Sequence, residues 1–228
     1  MQSMIKIPLA ENPNVILKAI PGHFITPNSH VNYYLDMTTI KTRLNEASAA
    51  ASEISKKISS STIVDTIVCM DGCEIIGAYL AQELTKAGVI SINAHKTIYI
   101  TTPEVAHNGQ LLFRDNIVPM VKGKNVLLLL ASATTGQSIF KATQTLNYYG
   151  ANISGNSAIF SVANSSMGIP IRSLFTLHDL QITRTTLRKH VLCVKTNNQL
   201  MHLRMHLGIH TYKKNKKTFD FTTLTCYD

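Results

Sequence analysis

NVLLLLASATTGQS, residues 125–138, is followed directly by IFKATQTLNYYG, which ends at Gly150. Five apolar residues, Val126 to Leu130, predict a strand buried on both faces, because a run without polar alternation offers no face to water. Thr134-Thr135-Gly136-Gln137-Ser138 then predicts a turn into a helix. A strand, a short Gly/Thr/Ser turn and a helix start make an anion cradle, since the unpaired N–H groups of the first helical turn and the helix dipole both point at the turn.

The same pattern recurs upstream. Thr62 to Met70 reads as a strand, Asp71-Gly72 as a break, and Cys73 to Ala87 as a helix closed by Gly88. Downstream, Ala158 to Ala163 is another strand, followed by a Gly168-Ile-Pro turn and a last strand, Ile171 to Leu177. Taken in order, β-α-β-α-β with short loops predicts an α/β fold with a mostly parallel sheet flanked by helices. In such sheets ligands bind at the carboxyl ends of the strands. Thr38 to Ser59 is a further helix, with Ile40, Leu44, Ala47, Ala51, Ile54 and Ile58 at helical spacing. Val89 to Ala94 and Thr97 to Thr101 bracket His95-Lys96 and predict a strand or hairpin, and Met1 to Asn14 predicts an arm lying on the body.

With 228 residues, 45% hydrophobic and 15% charged, the chain has enough material for one sizeable core. Its longest apolar runs are strand-sized, short of the ~20 residues that a membrane helix needs. No charged segment leading into a long apolar stretch opens the chain, so a cytoplasmic location is expected. Cys69, Cys73, Cys193 and Cys226 show no paired metal-ligand spacing and are expected to be structural. The net charge of +9 raises the question of a nucleic-acid partner, but its distribution argues against one. From Gln181 onward nine Lys/Arg face two Asp, which leaves a nearly neutral body of +2 over the first 180 residues.

The 125–138 stretch resembles the phosphoribosyl-diphosphate (PRPP) loop of type I phosphoribosyltransferases. There an apolar strand leads through two acidic and two small residues into Thr/Ala-Thr-Gly-Gly-Thr/Ser. On that pattern Ala133, Thr134, Thr135, Gly136, Gln137 and Ser138 correspond to the part that holds the 5′-phosphate. The acidic pair falls on Leu130 and Ala131 and is missing. No shift of register restores it, because no Asp or Glu occurs from Asn116 to His178. The resemblance implies that carboxylates there hold the ribose hydroxyls and help to place Mg²⁺. The phosphate half of the site is therefore present and the ribose half altered.

By the same resemblance the Asp71-Gly72-Cys73-Glu74 turn takes the pyrophosphate, with Asp71 and Glu74 the nearest acids able to hold a metal. Capping of the helix and complementation of its dipole account for the same two acids. Ala19 to Asp36 forms two strand-like pieces either side of Pro27-Asn28-Ser29 and resembles the substrate-side motif of orotate phosphoribosyltransferases. Gly22, His23, Phe24, Ser29, His30, Tyr34 and Asp36 match its outline, which implies a base-side role for Phe24, His30, Tyr33, Tyr34 and Asp36. For Tyr33 and Tyr34, simple alternation between core and surface is the competing reading. Thr102 to Gly109 stands where orotate enzymes carry a mobile basic loop, yet residues 97–113 hold His107 and no Lys or Arg. Lys96 or Arg114 would have to substitute.

These matches imply a phosphoribosyltransferase domain over residues 1–180, with a small amino-terminal substrate-side subdomain at 15–36. The implied reaction moves 5-phosphoribosyl from PRPP to a nucleobase, most closely an orotate-like pyrimidine, in a homodimer with Mg²⁺. A nucleotide- or phosphosugar-binding regulatory module of the same fold is the alternative. Residues 181–228 are set apart by weak periodicity and the Lys213-Lys214-Asn-Lys216-Lys217 cluster. They read either as a basic extension or as a frameshifted end. Back-translating Gln181 to Tyr212 and shifting one nucleotide permits a Cys-Pro-x-Cys pair, an idea that sequencing the coding DNA decides.

Overall fold

The computed structural model describes residues 4–26, 29–86, 91–107 and 109–180, with backbone only at 25, 26, 29 and 30. The expectations for the Pro27-Asn28 turn, Gly88, the His30 side chain and the 181–228 tail fall outside these residues. Two compact units divide them: residues 20–34 form one, and residues 4–19 with 35–180 the other.

In the larger unit, β1 (Ile5–Pro8) pairs antiparallel with the first part of β2 (Ile16–Thr26), Ile5 opposite Ala19 and Pro8 opposite Ile16. The amino-terminal arm is thus an edge strand, hidden in the sequence because it alternates over only four residues. The smaller unit carries the rest of β2 and most of β3 (Ser29–Asp36), its neighbour in a three-stranded sheet.

The helix expected over 38–59 is two helices, α1 (Thr38–Thr42) and α2 (Leu44–Lys57), separated by Arg43 at φ −92°, ψ 123°. Thr38, Thr39, Ile40 and Thr42 are β-branched, and such residues lose rotamer freedom in a helix. The break also turns Leu44 outward to 62% exposure, while Ile40, Ala47, Ala51, Ile54 and Ile58 are buried as their spacing requires.

The central sheet follows: β4 (Thr66–Cys69), α3 (Glu74–Thr85), β5 (Tyr99–Thr101), β6 (Glu104–Val105), β7 (Leu111–Leu112), a 3-10 turn at Val118–Met120, β8 (Asn125–Ala133), α4 (Gln137–Tyr148), β9 (Asn152–Ser161), β10 (Ser165–Ser166) and β11 (Ile169–Thr176). Its strand order is β10-β11-β9-β8-β4-β5, all neighbours parallel except the short β10 hairpin to β11. A mostly parallel sheet flanked by helices is therefore the observed architecture. Of the strand or hairpin expected around His95, the described residues form a strand, β5, which pairs parallel with β4.

Val126 to Leu130 are fully buried, as an uninterrupted apolar strand in the middle of a sheet must be. Even-numbered Val126, Leu128 and Leu130 join Ile139, Ala142 and Leu146 of α4 in one core, and a Cβ on Gly77 of α3 would meet Cys69 and Ile67 on the opposite face. From the central β4/β8 pair the chain moves outward in opposite directions, to β5 on one side and to β9 on the other. Right-handed crossovers then require helices on opposite faces. The ladder is clipped at its amino end, where both the amide and the side-chain nitrogen of Asn125 donate to Asp65 Oδ2 at 2.8 and 2.7 Å.

Candidate functional site

A reversal of strand order opens a crevice at the carboxyl ends of the strands that flank it, because the two following helices leave on different faces. Here those strands are β4 and β8. The turns that leave them are residues 70–73 and 134–136, the two turns that the sequence singles out.

The β8 turn is built around Gly136, which sits at the amino end of α4 with φ +79°. Glycine enters that region at no steric cost, and no side chain caps the helix there. Thr134, Thr135, Gln137 and Ser138 are exposed, whereas Ala133, Gly136 and Ile139 are buried. The backbone is thus anchored while its polar groups face solvent. The nearest side-chain partner of the first helical amides is Thr135 Oγ1, a distant 3.5 Å from the Gln137 amide. The base of the turn is braced by the Val162 amide, which donates to the Ala133 carbonyl at 2.8 Å, and by the Ser161 hydroxyl, 3.2 Å from the same oxygen. Ser166 of β10 approaches too: its Oγ lies 3.6 Å from where a Cβ on Gly136 would stand. Sequence reasoning missed Ser166, for nothing in a Ser-Ser pair signals a hairpin folding back over a turn.

The β4 turn carries two successive left-handed residues, Asp71 at φ +58° and Gly72 at φ +77°. A non-glycine residue in that region costs roughly 1 kcal/mol or more and persists only where its surroundings hold it. They do so here. The ladder between β4 and β8 ends with the Met70 amide on the Leu129 carbonyl at 2.8 Å, and the Ala131 amide donates to the Asp71 carboxyl instead. Although part of Asp71 is exposed, the protein packed around its carboxyl raises its pKa, opposed by the Lys41 charge and the Ala131 amide and reinforced by Glu74. Cys73 is fully buried, and burial first of all pushes its thiol up to about 12, so it is no nucleophile near neutral pH.

Lys41, which sequence reasoning also missed, reaches this turn from α1. Its Nζ donates to the Asp71 carbonyl at 2.7 Å and lies 3.7 Å from where a Cβ on Gly72 would stand. The same ammonium acts on Asp36, as does Lys18. Burial pushes the Asp36 carboxyl up, but bonds from the Thr38 amide and hydroxyl and these two charges outweigh it and hold it down. Asp36, the last residue of the amino-terminal motif, is therefore tied electrostatically to the β4 turn. A lysine on a five-residue helix carries no motif that would have announced it.

The remaining residues fall as follows. Phe24 and Tyr34 of the smaller unit form a tilted ring pair with centroids 5.9 Å apart, and Tyr33, which precedes Tyr34 on β3, is half-buried. Lys96 precedes β5 and so lies at the amino edge of the sheet, opposite the β4 and β8 turns. The 102–109 segment is the first arm and turn of a β6–β7 hairpin, with His107 exposed at the turn. Arg114, just past that hairpin, pairs through Nε with Glu104 at 2.5 Å. Leu130 is 0% and Ala131 7% exposed, so β8 presents packed apolar atoms where the resemblance expects acids.

No group of three or more His, Cys, Asp or Glu side chains gathers as a cation cage among the described residues. Mg²⁺, however, is usually held by one or two carboxylates together with substrate phosphates. Asp71 and the exposed Glu74 at one turn fit a metal carried in with a diphosphate, and they do not fit a resident one. Among the described residues no helix is long and apolar enough to cross a membrane.

No family model matches the chain, and neither does any curated protein. Solved structures do. The chain is similar to orotate phosphoribosyltransferase from Mycobacterium tuberculosis, with a TM-score of 0.50 at 14% identity over 73% of this chain and 93% of the other. It is also similar to UMP synthase from Leishmania donovani, with a TM-score of 0.53 at 16% identity over 71% of this chain and 34% of that one. At such identities the likeness is one of fold, and the fold is that of the type I phosphoribosyltransferases.

Proposed function

We propose that this protein is a phosphoribosyltransferase that moves 5-phosphoribosyl from PRPP to a ring nitrogen of a nucleobase, an orotate-like pyrimidine first among the candidates. One observation carries the reading: the turns after β4 and β8 meet at the point where strand order reverses, with open helix-start amides in the β8 turn. In this reading Ala133 and Thr134 to Ser138 grip the 5′-phosphate through main-chain amides, and Asp71 to Glu74 face the diphosphate. By the resemblance Phe24, Tyr33 and Tyr34 of the smaller unit are base-side candidates, as is Asp36 of the larger unit, whose charge is sustained by Lys18 and Lys41.

The transfer breaks the bond between C1 of the ribose and the diphosphate oxygen, whose electron pair departs with the diphosphate. A lone pair on the base nitrogen forms the new bond to C1, and any proton on that nitrogen passes to solvent. Positive charge develops on the sugar and negative charge on the leaving group. The chain's task is to fix both ends of the sugar phosphate and to present donors to the departing oxygens. Asp71 and Glu74 are the residues that would hold Mg²⁺. When bound it neutralises charge on the diphosphate.

A second reading, a regulatory module that binds a phosphosugar or nucleotide without turning it over, is favoured by one observation: near its carboxyl end β8 carries buried Leu130 and Ala131, with no carboxylate for the ribose hydroxyls. Loss of ~1.4 kcal/mol of transition-state stabilisation is already tenfold in rate. Pyrophosphate release from PRPP with Mg²⁺ and orotate, uracil or adenine separates the two. Release that depends on orotate is the expected result. Calorimetric binding of ribose 5-phosphate without release for any base selects the regulatory module, and no binding removes both.

A further inference from the structure

A departing diphosphate needs a cation, and the segment at 102–109 that would have brought a lysine has none. Lys96 sits at the other edge of the sheet, and Arg114 is engaged by Glu104. Lys41 meets the need from an unexpected place. Its ammonium lies against the β4 turn, bonded to the Asp71 carbonyl and beside Gly72, where the left-handed backbone leaves no side chain in the way. An ammonium has three donors. The Asp71 carbonyl takes one and leaves two for oxygens of a ligand.

The position is specific in a second sense. Asp36, Asp71 and Cys73 all feel the Lys41 charge, so the ammonium is central to the turn and not on its periphery. The carboxylates of Asp36 and Asp71 beside one lysine keep the turn from carrying excess positive charge. A ligand with several negative oxygens would draw the ammonium away from them, a redistribution that a compact charge on a flexible stem allows.

We propose that Lys41 is the cation of the diphosphate subsite, delivered from α1 to the β4 turn in place of the lysine absent from the 102–109 segment. The proposal rests on the phosphosugar reading above and adds a residue to it. Lys41 binds the end of the ligand opposite the 5′-phosphate, so it governs affinity for a diphosphate and leaves affinity for a sugar monophosphate alone.

Calorimetry on the full chain in chelator-treated buffer tests this with two probes, inorganic pyrophosphate and ribose 5-phosphate. Lys41→Met is expected to weaken pyrophosphate binding by roughly tenfold or more, the loss of one charged hydrogen-bonding partner, while ribose 5-phosphate stays within about twofold of the parent. Lys41→Arg, which keeps the charge, is expected to retain most of the pyrophosphate affinity. The salt dependence of that affinity is expected to flatten in Lys41→Met and not in Lys41→Arg. Equal loss of both ligands in Lys41→Met and Lys41→Arg overturns the proposal, since it marks collapse of the turn. Unchanged pyrophosphate binding in Lys41→Met with intact ribose 5-phosphate binding overturns it and leaves the phosphosugar reading standing. A parent protein that binds neither probe overturns both.

Discussion

The site's conduct turns on a few positions where a side chain or its absence cannot be exchanged. Gly136 is the sharpest. At φ +79° it holds the β8 turn so that the first amides of α4 face outward, and a Cβ there meets only ordinary contact with Ser166, so conformation and not space demands glycine. Gly136→Ala is expected to cost ~1–2 kcal/mol of folding stability, the penalty for an L residue in the left-handed region. It should cost proportionately more in phosphate affinity, because the turn relaxes by moving the amides. Urea unfolding and phosphate titration of the same variant check this, and phosphate affinity unchanged alongside lost stability would show that the amides do not bind. A second position lies deeper. Asn156 of β9 is fully buried between Leu128 and Ile171, with no partner for either its amide oxygen or its nitrogen. Burying an unsatisfied amide costs ~1–3 kcal/mol. Asn156→Leu, with the same branched outline and number of heavy atoms but bulkier methyl groups, is therefore expected to raise the midpoint of urea unfolding, and a lowered midpoint would mean either that the amide has a partner in solution or that the packed neighbours do not yield to the methyls.

At the scale of elements, what the sequence revealed depended on whether an element's own residues determine it. β8 and α4 could be read because an apolar run, a glycine turn and a helical repeat are all local signals. β9 runs Asn152–Ser161, well ahead of the expected start at Ala158, because Asn156 and Ser157 look like surface residues and are buried only by the strands on either side. β1 and the β6–β7 hairpin were missed for a related reason, as short strands are fixed by their partners and not by propensity. The break at Arg43 escaped notice because the apolar spacing continues through it. Helix-to-sheet contact was equally invisible, and it makes a firm prediction. Gly77 lies at the end of the first turn of α3, and within a helix glycine costs ~1 kcal/mol relative to alanine where the position is exposed. Here a Cβ would stand closer to Cys69 Sγ on β4 than atoms can pack. Gly77→Ala is expected to reverse the usual preference and destabilise the protein by ~1–3 kcal/mol through overpacking. Chemical denaturation measures it, and a stabilised variant would show that α3 rides further from the sheet.

For the molecule as a whole, the candidate site is a consequence of chain order more than of any one motif. The motif at 133–138 pointed to an anion. What makes the two turns neighbours is that β4 and β8 pair in the centre while β5 and β9 lie outside them, and this ordering is not written in either segment. The residues that adapt the site, Lys41 and Ser166, come from separate parts of the chain and become visible only once it is folded. A comparable long-range tie anchors the amino-terminal segment. Glu53, a buried acid on α2, accepts from Asn12 Nδ2 at 3.1 Å and from Lys56 Nζ at 2.8 Å. Burial alone would raise its pKa, but those two bonds and the charges of Lys56 and Lys57 outweigh it and hold the carboxyl below its ordinary value. An acid with a depressed folded pKa binds fewer protons than its unfolded counterpart, so its stabilisation is complete above the unfolded value and is lost as pH falls through the folded one. Glu53→Gln keeps the shape and removes the charge. It is expected to cost ~1–3 kcal/mol near neutral pH, where a neutral amide oxygen replaces the charged, buried acceptor of the Asn12 and Lys56 donors. The gap between parent and variant should then close as the solution is acidified, because protonated Glu53 and the glutamine of the variant both offer Lys56 a neutral carbonyl oxygen. Unfolding curves collected across the acid range test the sign directly: a gap that stays constant or widens toward low pH would mean that Glu53 is not held ionised by its partners, and that the amino-terminal segment is secured by packing alone.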